Sequence, residues 1–293
     1  MKAKFFFGVA AMVLLASCES VIEQDLEVTM GGEASDMTVT AVIESKAGTR
    51  TALSGEANSS GYHSLYWEKG DAISISDGES TAVFTTESDG TSTGVFTRKE
   101  GRIDGNAYSY TAFYPSSITA SNMTLPAEQN YVEKNVENFP MYAKSYTKEF
   151  AFKNLCGIIR LSLKKEESTT VKVSSISLSA DNAGMSGSFT VGTDGAANVS
   201  GTDGVQLVCT QPVTLYSSLE TDFNIIVPKG SYNPLKVKIS CDDGKEVNLV
   251  SEAAVKVARS GITKIDITLS SSSFNSSLEM IPITESDVEF TDR

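Results

Sequence analysis

The sequence predicts an all-β protein made of two packed antiparallel β-sandwich domains. Apolar and polar residues alternate with a period of two along most of the chain, from Val39 to Leu269. Turns rich in Gly, Ser and Asp separate these short runs, and 293 residues suit two domains of ordinary size. We therefore expect one Greek-key sandwich over residues 36–147 and a second over residues 148–269.

The composition excludes several classes of function. A net charge of −13 argues against nucleic acid as a partner, because phosphate binding requires a basic surface. His63 is the only histidine of the chain, so a His-rich zinc site is excluded. The scattered Asp and Glu residues form no distinct catalytic pair, and no serine is matched with a positioned base. We expect no enzyme activity, no cofactor and no metal.

The N-terminus carries an export signal. Lys2 and Lys4 precede an apolar run, and Leu15-Ala16-Ser17 stands directly before Cys18. Small residues before a cysteine are typical of a lipobox, which predicts a signal peptide over residues 1–17 and an acylated, palmitate-bearing Cys18. A plain secretory peptide and a short membrane anchor are the alternatives, but eleven apolar residues are too few to cross a bilayer.

Residues 18–35 are acidic and lack a clear strand pattern, as expected of a tether between lipid and folded domain. An acidic patch at this position resembles the surface-export signal of lipoproteins in the Bacteroidetes. A solvated linker without any export role explains the same residues.

The alternating runs predict the individual strands. The first strand is expected over residues 38–43, with Val39, Ala41 and Ile43 facing inward. The inward phase changes parity between Val173 and Ile176, which predicts a β-bulge. Further inward-facing residues are predicted as follows: Ile73, Ile75, Tyr108, Tyr110, Ala112, Tyr114, Phe150, Phe152, Ile159, Leu161, Leu163, Val171, Leu178, Ala180, Phe223, Ile225, Val227, Val255, Val257, Ile265, Ile267 and Leu269.

Residues 242–244, Asp-Asp-Gly, predict a hairpin turn rather than a calcium loop, because the Asp spacing of an EF-hand is absent. Cys156, Cys209 and Cys241 remain once Cys18 is acylated, and three cysteines allow at most one disulfide. Cys209 and Cys241 fall on inward strand phases, where a buried thiol and a bridge are both open.

The aromatic residues have two interpretations. They could form a platform on which a sugar ring stacks, or they could pack in the core. Core packing is favoured because the tyrosines at 108, 110 and 114 alternate on one face of one strand. The aromatics concerned are Tyr62, Tyr66, Trp67, Tyr108, Tyr110 and Tyr114.

Several short motifs occur in an order that resembles the fimbrillin family of Bacteroidetes lipoproteins. They are Thr49-Arg50-Thr51, residues 66–71 (Tyr-Trp-Glu-Lys-Gly-Asp), Tyr108–Pro115, Leu125-Pro126, Met141-Tyr142-Ala143 and Phe150–Cys156. No single motif is specific, and their order over more than a hundred residues carries the resemblance. The resemblance implies two transthyretin-like domains that assemble into type V pili. In that family an Arg-specific protease removes the N-terminal segment with its first strand, and a neighbour's strand takes its place.

Residues 46–52 provide a site where such a cut could occur. The stretch is polar and made mostly of small residues, and it follows directly on the first strand. Cleavage is expected between Arg50 and Thr51. A plain hairpin loop that happens to contain an arginine is the alternative.

The C-terminal residues 270–293 combine a serine linker with an apolar segment. Leu278 and Met280 share one face of an extended segment, whereas Ile281 and Ile283 share the other. Pro282 cannot donate a ladder hydrogen bond, which favours an edge strand. We interpret Leu278, Met280, Ile281 and Ile283 as a donor strand for a neighbouring subunit. A tail that folds back on its own domain, or a disordered tail, is the alternative.

The sequence thus leads to a structural subunit of a cell-surface fimbria that serves adhesion. Its partners are expected to be other fimbrial subunits, in a homo- or hetero-polymer, and the outer membrane through the lipid on Cys18. The precursor would be an outer-membrane lipoprotein and the mature form part of a surface fimbrium. The alternative is a monomeric surface lipoprotein that binds a glycan or host ligand.

Overall fold

Strands make up nearly all regular structure in the described residues of this chain. The computed structural model describes residues 37–44, 65–166, 170–274, 280–283 and 288–291. Within these ranges the only helical element is a 3-10 turn over Ser271–Phe274. The predicted all-β class is confirmed. None of the helical structure in the described ranges has the length and apolar character needed to traverse a bilayer.

The strands fall into two groups along the chain. The first group is β1 Thr38–Ile43, β2 Ala72–Ser76, β3 Thr81–Thr86, β4 Thr93–Gly101, β5 Tyr110–Tyr114, β6 Thr124–Leu125, β7 Glu128–Asn130, β8 Met141–Ser145 and β9 Glu149–Asn154. The second is β10 Cys156–Lys165, β11 Val171–Ala180, β12 Gly187–Val191, β13 Ala197–Val199, β14 Val205–Leu215, β15 Thr221–Pro228, β16 Gly230–Tyr232, β17 Leu235–Cys241, β18 Glu246–Ser251, β19 Val255–Val257, β20 Ile262–Leu269, β21 Met280–Ile283 and β22 Val288–Thr291.

Seven strands of the first group form one closed sheet, in the order β1-β4-β3-β2-β5-β8-β9. The ring is completed by β1, which pairs antiparallel with β4 and parallel with β9. Alternate side chains of each strand point into a single apolar core, to which Val39, Phe84, Phe96, Tyr110 and Phe152 contribute. Because β9 ends at Asn154, the closed sheet extends past residue 147, and the domain division at that residue stays a prediction.

The second group, together with β7 of the first group, forms two main sheets that face one core. One has the order β15-β10-β20-β22 and the other the order β21-β18-β17-β11-β14-β7. Leu161 and Phe223 of the first sheet share a buried cluster with Ile176 and Val237 of the second. This is the face-to-face packing of a β-sandwich.

A third apolar cluster joins residues from both groups of strands. Phe113 and Phe139 pack there with Leu155, Ile158 and Ile226, all of which are buried. The junction between β9 and β10 therefore lies inside a core rather than in an exposed linker.

Two local predictions are confirmed. The register of β11 shifts between Val173 and Ser175 against both neighbouring strands, which is the predicted bulge. β17 and β18 pair antiparallel across the predicted hairpin. Gly244 adopts a φ of +82° in that turn, and the Asp243 carboxylate accepts a hydrogen bond from the Lys245 amide at 3.1 Å.

The predicted inward position of Tyr108 is wrong, since its side chain is 86% exposed. Strand β5 begins only at Tyr110. The preceding residues form a turn in which the Ala107 amide donates to the Asp104 carbonyl at 3.3 Å. The period of two therefore does not extend back to Tyr108.

Candidate functional site

Strand β1 is held on both sides in the closed sheet. Val39, Ala41 and Ile43 point inward and are at most 3% exposed, as predicted, whereas Val42 faces outward and is 40% exposed. At the centre of the strand Ala41 lies opposite Gly94 of β4 and Phe150 of β9. Leaving this position would expose apolar surface on both neighbouring strands.

Trp67 lies directly behind β1 and fixes its position. The indole is fully buried, and its Nε1–H donates to the Ala41 carbonyl at 3.1 Å. Its ring makes edge contacts with Phe96, Tyr114 and Phe152 at centroid distances of 4.9, 5.5 and 5.5 Å. A β-carbon at Gly94 would stand 3.0 Å from the indole and from the Phe96 ring, a tight contact that a glycine at this position avoids.

The Tyr114 hydroxyl completes this aromatic cluster with a polar contact. It donates to the Asp71 carboxylate at 2.8 Å. Burial, together with the negative charge of Asp71, raises the pKa of Tyr114. The hydroxyl therefore stays protonated and remains a hydrogen-bond donor across the physiological pH range.

Glu44 follows the last residue of β1 and connects the strand to a distant loop. Its carboxylate accepts from the Asn154 amide at 2.9 Å and forms an ion pair with the Arg259 guanidinium. The Ser260 hydroxyl donates to the same carboxylate at 3.3 Å. Both side chains of the ion pair are largely buried, at 19% exposed for Glu44 and 24% for Arg259.

Neither Glu44 nor Arg259 was predicted as a functional residue. An acidic residue at the end of an alternating run is a weak signal, because most such residues are solvated. The partner lies 215 positions further along the chain, a separation that a single sequence does not reveal.

The predicted cleavage and lipidation sites fall outside the described residues. Arg50 and Thr51 belong to the segment between Glu44 and Leu65, and Cys18 belongs to the segment before Met37. The structure brings the two ends of the first of these segments to the closed sheet, since Glu44 directly follows β1 and Leu65 is buried in the same core. The roles of Arg50, Thr51 and Cys18 stay predictions.

The C-terminal tail pairs with the edges of both sandwich sheets. The backbone of Met280–Ile283 runs parallel to β18, with Ile281 opposite Leu249 and Pro282 opposite Val250. The backbone of β22 runs antiparallel to β20. These pairings are those of a tail that folds back on its own chain. Leu278 lies outside the described residues, and the donor role of residues 278–283 stays a prediction.

The edge strand β21 has several features of a weakly held strand. It has four residues, pairs in the parallel sense and includes Pro282, which lacks an amide hydrogen. Parallel pairing is less stable per residue than antiparallel pairing, and short edge strands open at low free-energy cost.

The three described cysteines are free and buried. Cys209 lies on β14 and Cys241 on β17, the two strands that flank β11. Strands two apart in a sheet are separated by roughly 9–10 Å, which exceeds the Cα separation that a disulfide spans. Burial raises the pKa of both thiols from 9.0 to about 11. Of the two alternatives for Cys209 and Cys241, the structure therefore has buried free thiols rather than a disulfide.

These thiols predict a loss of stability at alkaline pH. A pKa that is higher in the folded state means that folding favours the protonated thiol. The stabilisation is complete below pH 9.0 and is lost as the pH rises towards about 11. Urea unfolding between pH 8 and 11 should therefore give a falling free energy of unfolding. The variant with Cys209→Ala and Cys241→Ala should lose less over this window, and an equal loss in both proteins would contradict the assignment.

The described residues contain no cluster of three His, Cys, Asp or Glu side chains that could hold a metal ion. Trp67, Tyr110 and Tyr114 are buried, as the core interpretation predicted. Tyr108 and Tyr146 instead form an exposed pair, 86% and 62% accessible, with ring centroids 5.4 Å apart. This pair is an aromatic surface of the kind on which a sugar ring can stack.

No protein-family model and no curated protein matches this chain. Solved structures do. A candidate cell adhesion protein of Bacteroides ovatus is 13% identical with a TM-score of 0.51, over 88% of this chain and 96% of that chain. A candidate cell adhesion protein of Bacteroides uniformis is 17% identical with a TM-score of 0.44, over 88% and 96%. The tip fimbrial protein Mfa3 of Porphyromonas gingivalis is 11% identical with a TM-score of 0.35, over 80% and 95%.

At these identities the likeness concerns the fold, and the Bacteroides ovatus protein alone of the three exceeds a TM-score of 0.5. The three structures are those of cell adhesion and fimbrial proteins from Bacteroides and Porphyromonas species. The chain therefore has the fold of the Bacteroides ovatus candidate cell adhesion protein.

Proposed function

We propose that this chain is a structural subunit of a cell-surface fimbria, made as an outer-membrane lipoprotein and assembled by strand exchange after cleavage at Arg50. The observation that carries the proposal is the position of β1. It is the single strand that joins β4 to β9, so its removal opens the closed sheet along one line. The opened slot would be lined by apolar side chains and by two rows of unpaired backbone groups.

An extended strand from a neighbour fits such a slot. Main-chain hydrogen bonds would supply affinity, and the pockets vacated by Val39, Ala41 and Ile43 would supply specificity. Burial of the two larger side chains, Val39 and Ile43, is worth about 1.5–3 kcal/mol each. β1 therefore stays in place in an uncut chain, and covalent release of the strand is the step that permits exchange.

The C-terminal tail is the proposed donor. Its first strand is a short parallel edge strand with a proline, and the core cluster described for the second group of strands extends along β20 as far as Leu269. The same tail that covers the edges of its own sheets would then be available to the next subunit. The lipid on Cys18 would hold the precursor at the outer membrane until the N-terminal segment is removed. The proposal includes no catalytic activity.

Variants of the cleavage site test this function. Cell-surface protein heated mildly in detergent should run as a ladder in the wild type, with Thr51 as its N-terminal residue. Arg50→Ala should give only uncut precursor, because the slot never opens. Lys46→Ala, which removes another cation of the same segment, should leave the ladder intact. A normal ladder from Arg50→Ala would contradict the proposal.

The same ladder assay also tests whether the C-terminal tail is the donor strand. A chain lacking residues 274–293 can accept a strand but cannot give one, so co-expression with wild type should shorten the ladder. Replacing Leu278, Met280, Ile281 and Ile283 with Ser should act in the same way. Normal polymers from the truncated chain alone would make another segment the donor. Unfolding of the truncated monomer would make the tail part of its own domain.

The exposed pair Tyr108 and Tyr146 favours a second candidate, a monomeric surface lipoprotein that binds a glycan. The ladder assay separates the two functions, because a monomeric binder gives a single band. The proposed adhesion role of a fimbria is compatible with the same aromatic pair.

A further inference from the structure

The end of the β1 slot carries a fixed positive charge. The Arg259 guanidinium forms the ion pair with Glu44, and its Nη2 is 3.4 Å from the Glu44 Oε2. Glu44 also anchors the backbone, because its amide donates to the Phe152 carbonyl at 2.9 Å. The carboxylate thus stands at a defined point, one residue after the last inward side chain of β1.

Arg259 is held in position by groups other than Glu44. Its Nη1 donates to the Asn154 carbonyl at 3.1 Å. The Asn154 side-chain amide donates to the Ser260 hydroxyl at 3.0 Å, and the Ser260 amide donates to the Cys156 carbonyl at 2.9 Å. None of these contacts involves β1, so the guanidinium stays at the slot when the strand leaves.

The loop that carries Arg259 is also packed tightly on β10. A β-carbon at Gly157 would stand 2.2 Å from the Ala258 carbonyl and 2.6 Å from the Val257 side chain. The loop therefore has little room to turn Arg259 away from the slot towards solvent.

Removal of β1 would consequently leave a guanidinium and the Asn154 amide without their carboxylate partner. Both groups are in a largely buried site, where the loss of a charged acceptor is costly. A neutral residue at this point of an incoming strand cannot restore the ion pair, whereas a carboxylate can accept from both groups.

We propose that Arg259 selects the strand that occupies the β1 slot. The inference rests on the proposed function. The partner is an extended strand with alternating apolar residues and an Asp or Glu directly after the last inward one, as in Val39, Ala41, Ile43 and Glu44. In the tail of this chain Ile281 follows Met280 and Thr284 follows Ile283, so the strand that fits this slot comes from a different kind of subunit. Arg259 thereby sets both the register and the identity of the incoming strand.

A nicked form of the full chain tests the selection directly. The chain carries Cys18→Ala to keep it free of lipid and a site-specific protease site between residues 52 and 60. After the cut, the N-terminal fragment remains bound through β1, and its release in moderate urea is followed by gel filtration. Glu44→Gln should release the fragment about 10- to 100-fold faster, the range expected for a lost charged hydrogen bond.

The same release measurement is made with Arg259→Gln in the C-terminal part of the nicked chain, which we call the body. It isolates the contribution of the Glu44–Arg259 ion pair to fragment release. There the wild-type and Glu44→Gln fragments should leave at rates within about twofold of each other, as the coupling logic of a double-mutant cycle requires. Arg259→Lys, which keeps the charge but loses the fork, should restore part of the difference. Asp36→Asn, which removes a carboxylate before the other end of β1, serves as the control and should leave the rate unchanged.

Equal release of the wild-type and Glu44→Gln fragments from the Arg259 body would overturn the proposal, and so would a difference that persists in the Arg259→Gln body. A labelled peptide of residues 36–46 added in excess tests the proposed function separately. If it never replaces the released fragment, strand exchange fails as the function, while the release rates still decide the role of Arg259.

Discussion

Replacing Trp67 with alanine should lower the free energy of unfolding by about 3–5 kcal/mol, the range for a large aromatic side chain removed from a packed core. The indole is fully buried, contacts three aromatic rings and donates to the Ala41 carbonyl. The substitution leaves a cavity behind β1 and an acceptor without its donor. Urea unfolding followed by circular dichroism measures the loss.

Two controls separate packing from the hydrogen bond. Trp67→Phe keeps most of the ring contacts but lacks the Nε1–H, so it should lose clearly less than Trp67→Ala. Tyr108→Ala removes an aromatic side chain that is 86% exposed and should change the stability by less than about 0.5 kcal/mol. A loss of less than about 1 kcal/mol from Trp67→Ala would contradict the central position of Trp67 in this core.

The substitution Gly157→Ala should destabilise the chain by about 3 kcal/mol or more, at or above the upper end of the range for overpacking. The added β-carbon would meet the Ala258 carbonyl at 2.2 Å and the Gly261 carbonyl at 3.0 Å. Both are backbone atoms, which cannot move aside by changing a rotamer. Relief requires that the loop carrying Arg259 shift away from β10, so fragment release in the nicked chain should accelerate as well.

Gly105→Ala is the matched control for this prediction. The nearest atom to a β-carbon at Gly105 is the Lys148 Nζ at 3.9 Å, an ordinary contact with a flexible side chain. Its stability should lie within about 0.5 kcal/mol of the wild type. A small loss from Gly157→Ala, comparable to that of the control, would mean that the loop is not held close to β10.

The strands were predictable from sequence where burial alternates strictly. The alternation of Val39, Ala41 and Ile43 predicted β1, because one face of this strand is buried and the other faces outward. The bulge after Val173 was visible as a change of phase, since an inserted residue moves all later side chains to the other face. Tyr108 continued the same alternation but lies before the strand, because a turn at Asp104–Ala107 precedes β5.

The pairing of strands was not predictable in the same way. Nothing in residues 38–43 indicates that β1 lies between β4 and β9, because pairing depends on the whole sheet rather than on local pattern. The ion pair of Glu44 with Arg259 was not predicted for the same reason. The local sequence around each residue is that of an ordinary charged residue on the surface. The buried positions of Cys209 and Cys241 were predictable, but their placement on either side of β11 came only from the sheet order.

The parallel pairing of β1 with β9 has a consequence for the order in which the chain folds. β2, β3 and β4 pair as neighbours in sequence, as do β8 and β9, whereas β1 must meet a strand about a hundred residues away. Loop closure over such a distance costs more entropy than a hairpin, and contacts of high sequence separation form late. We therefore expect the ring to close last at β1, so that the chain completes its first core only after residue 154 has followed. The strand expected to join last in folding is also the one whose departure leaves every other pairing of the closed sheet in place.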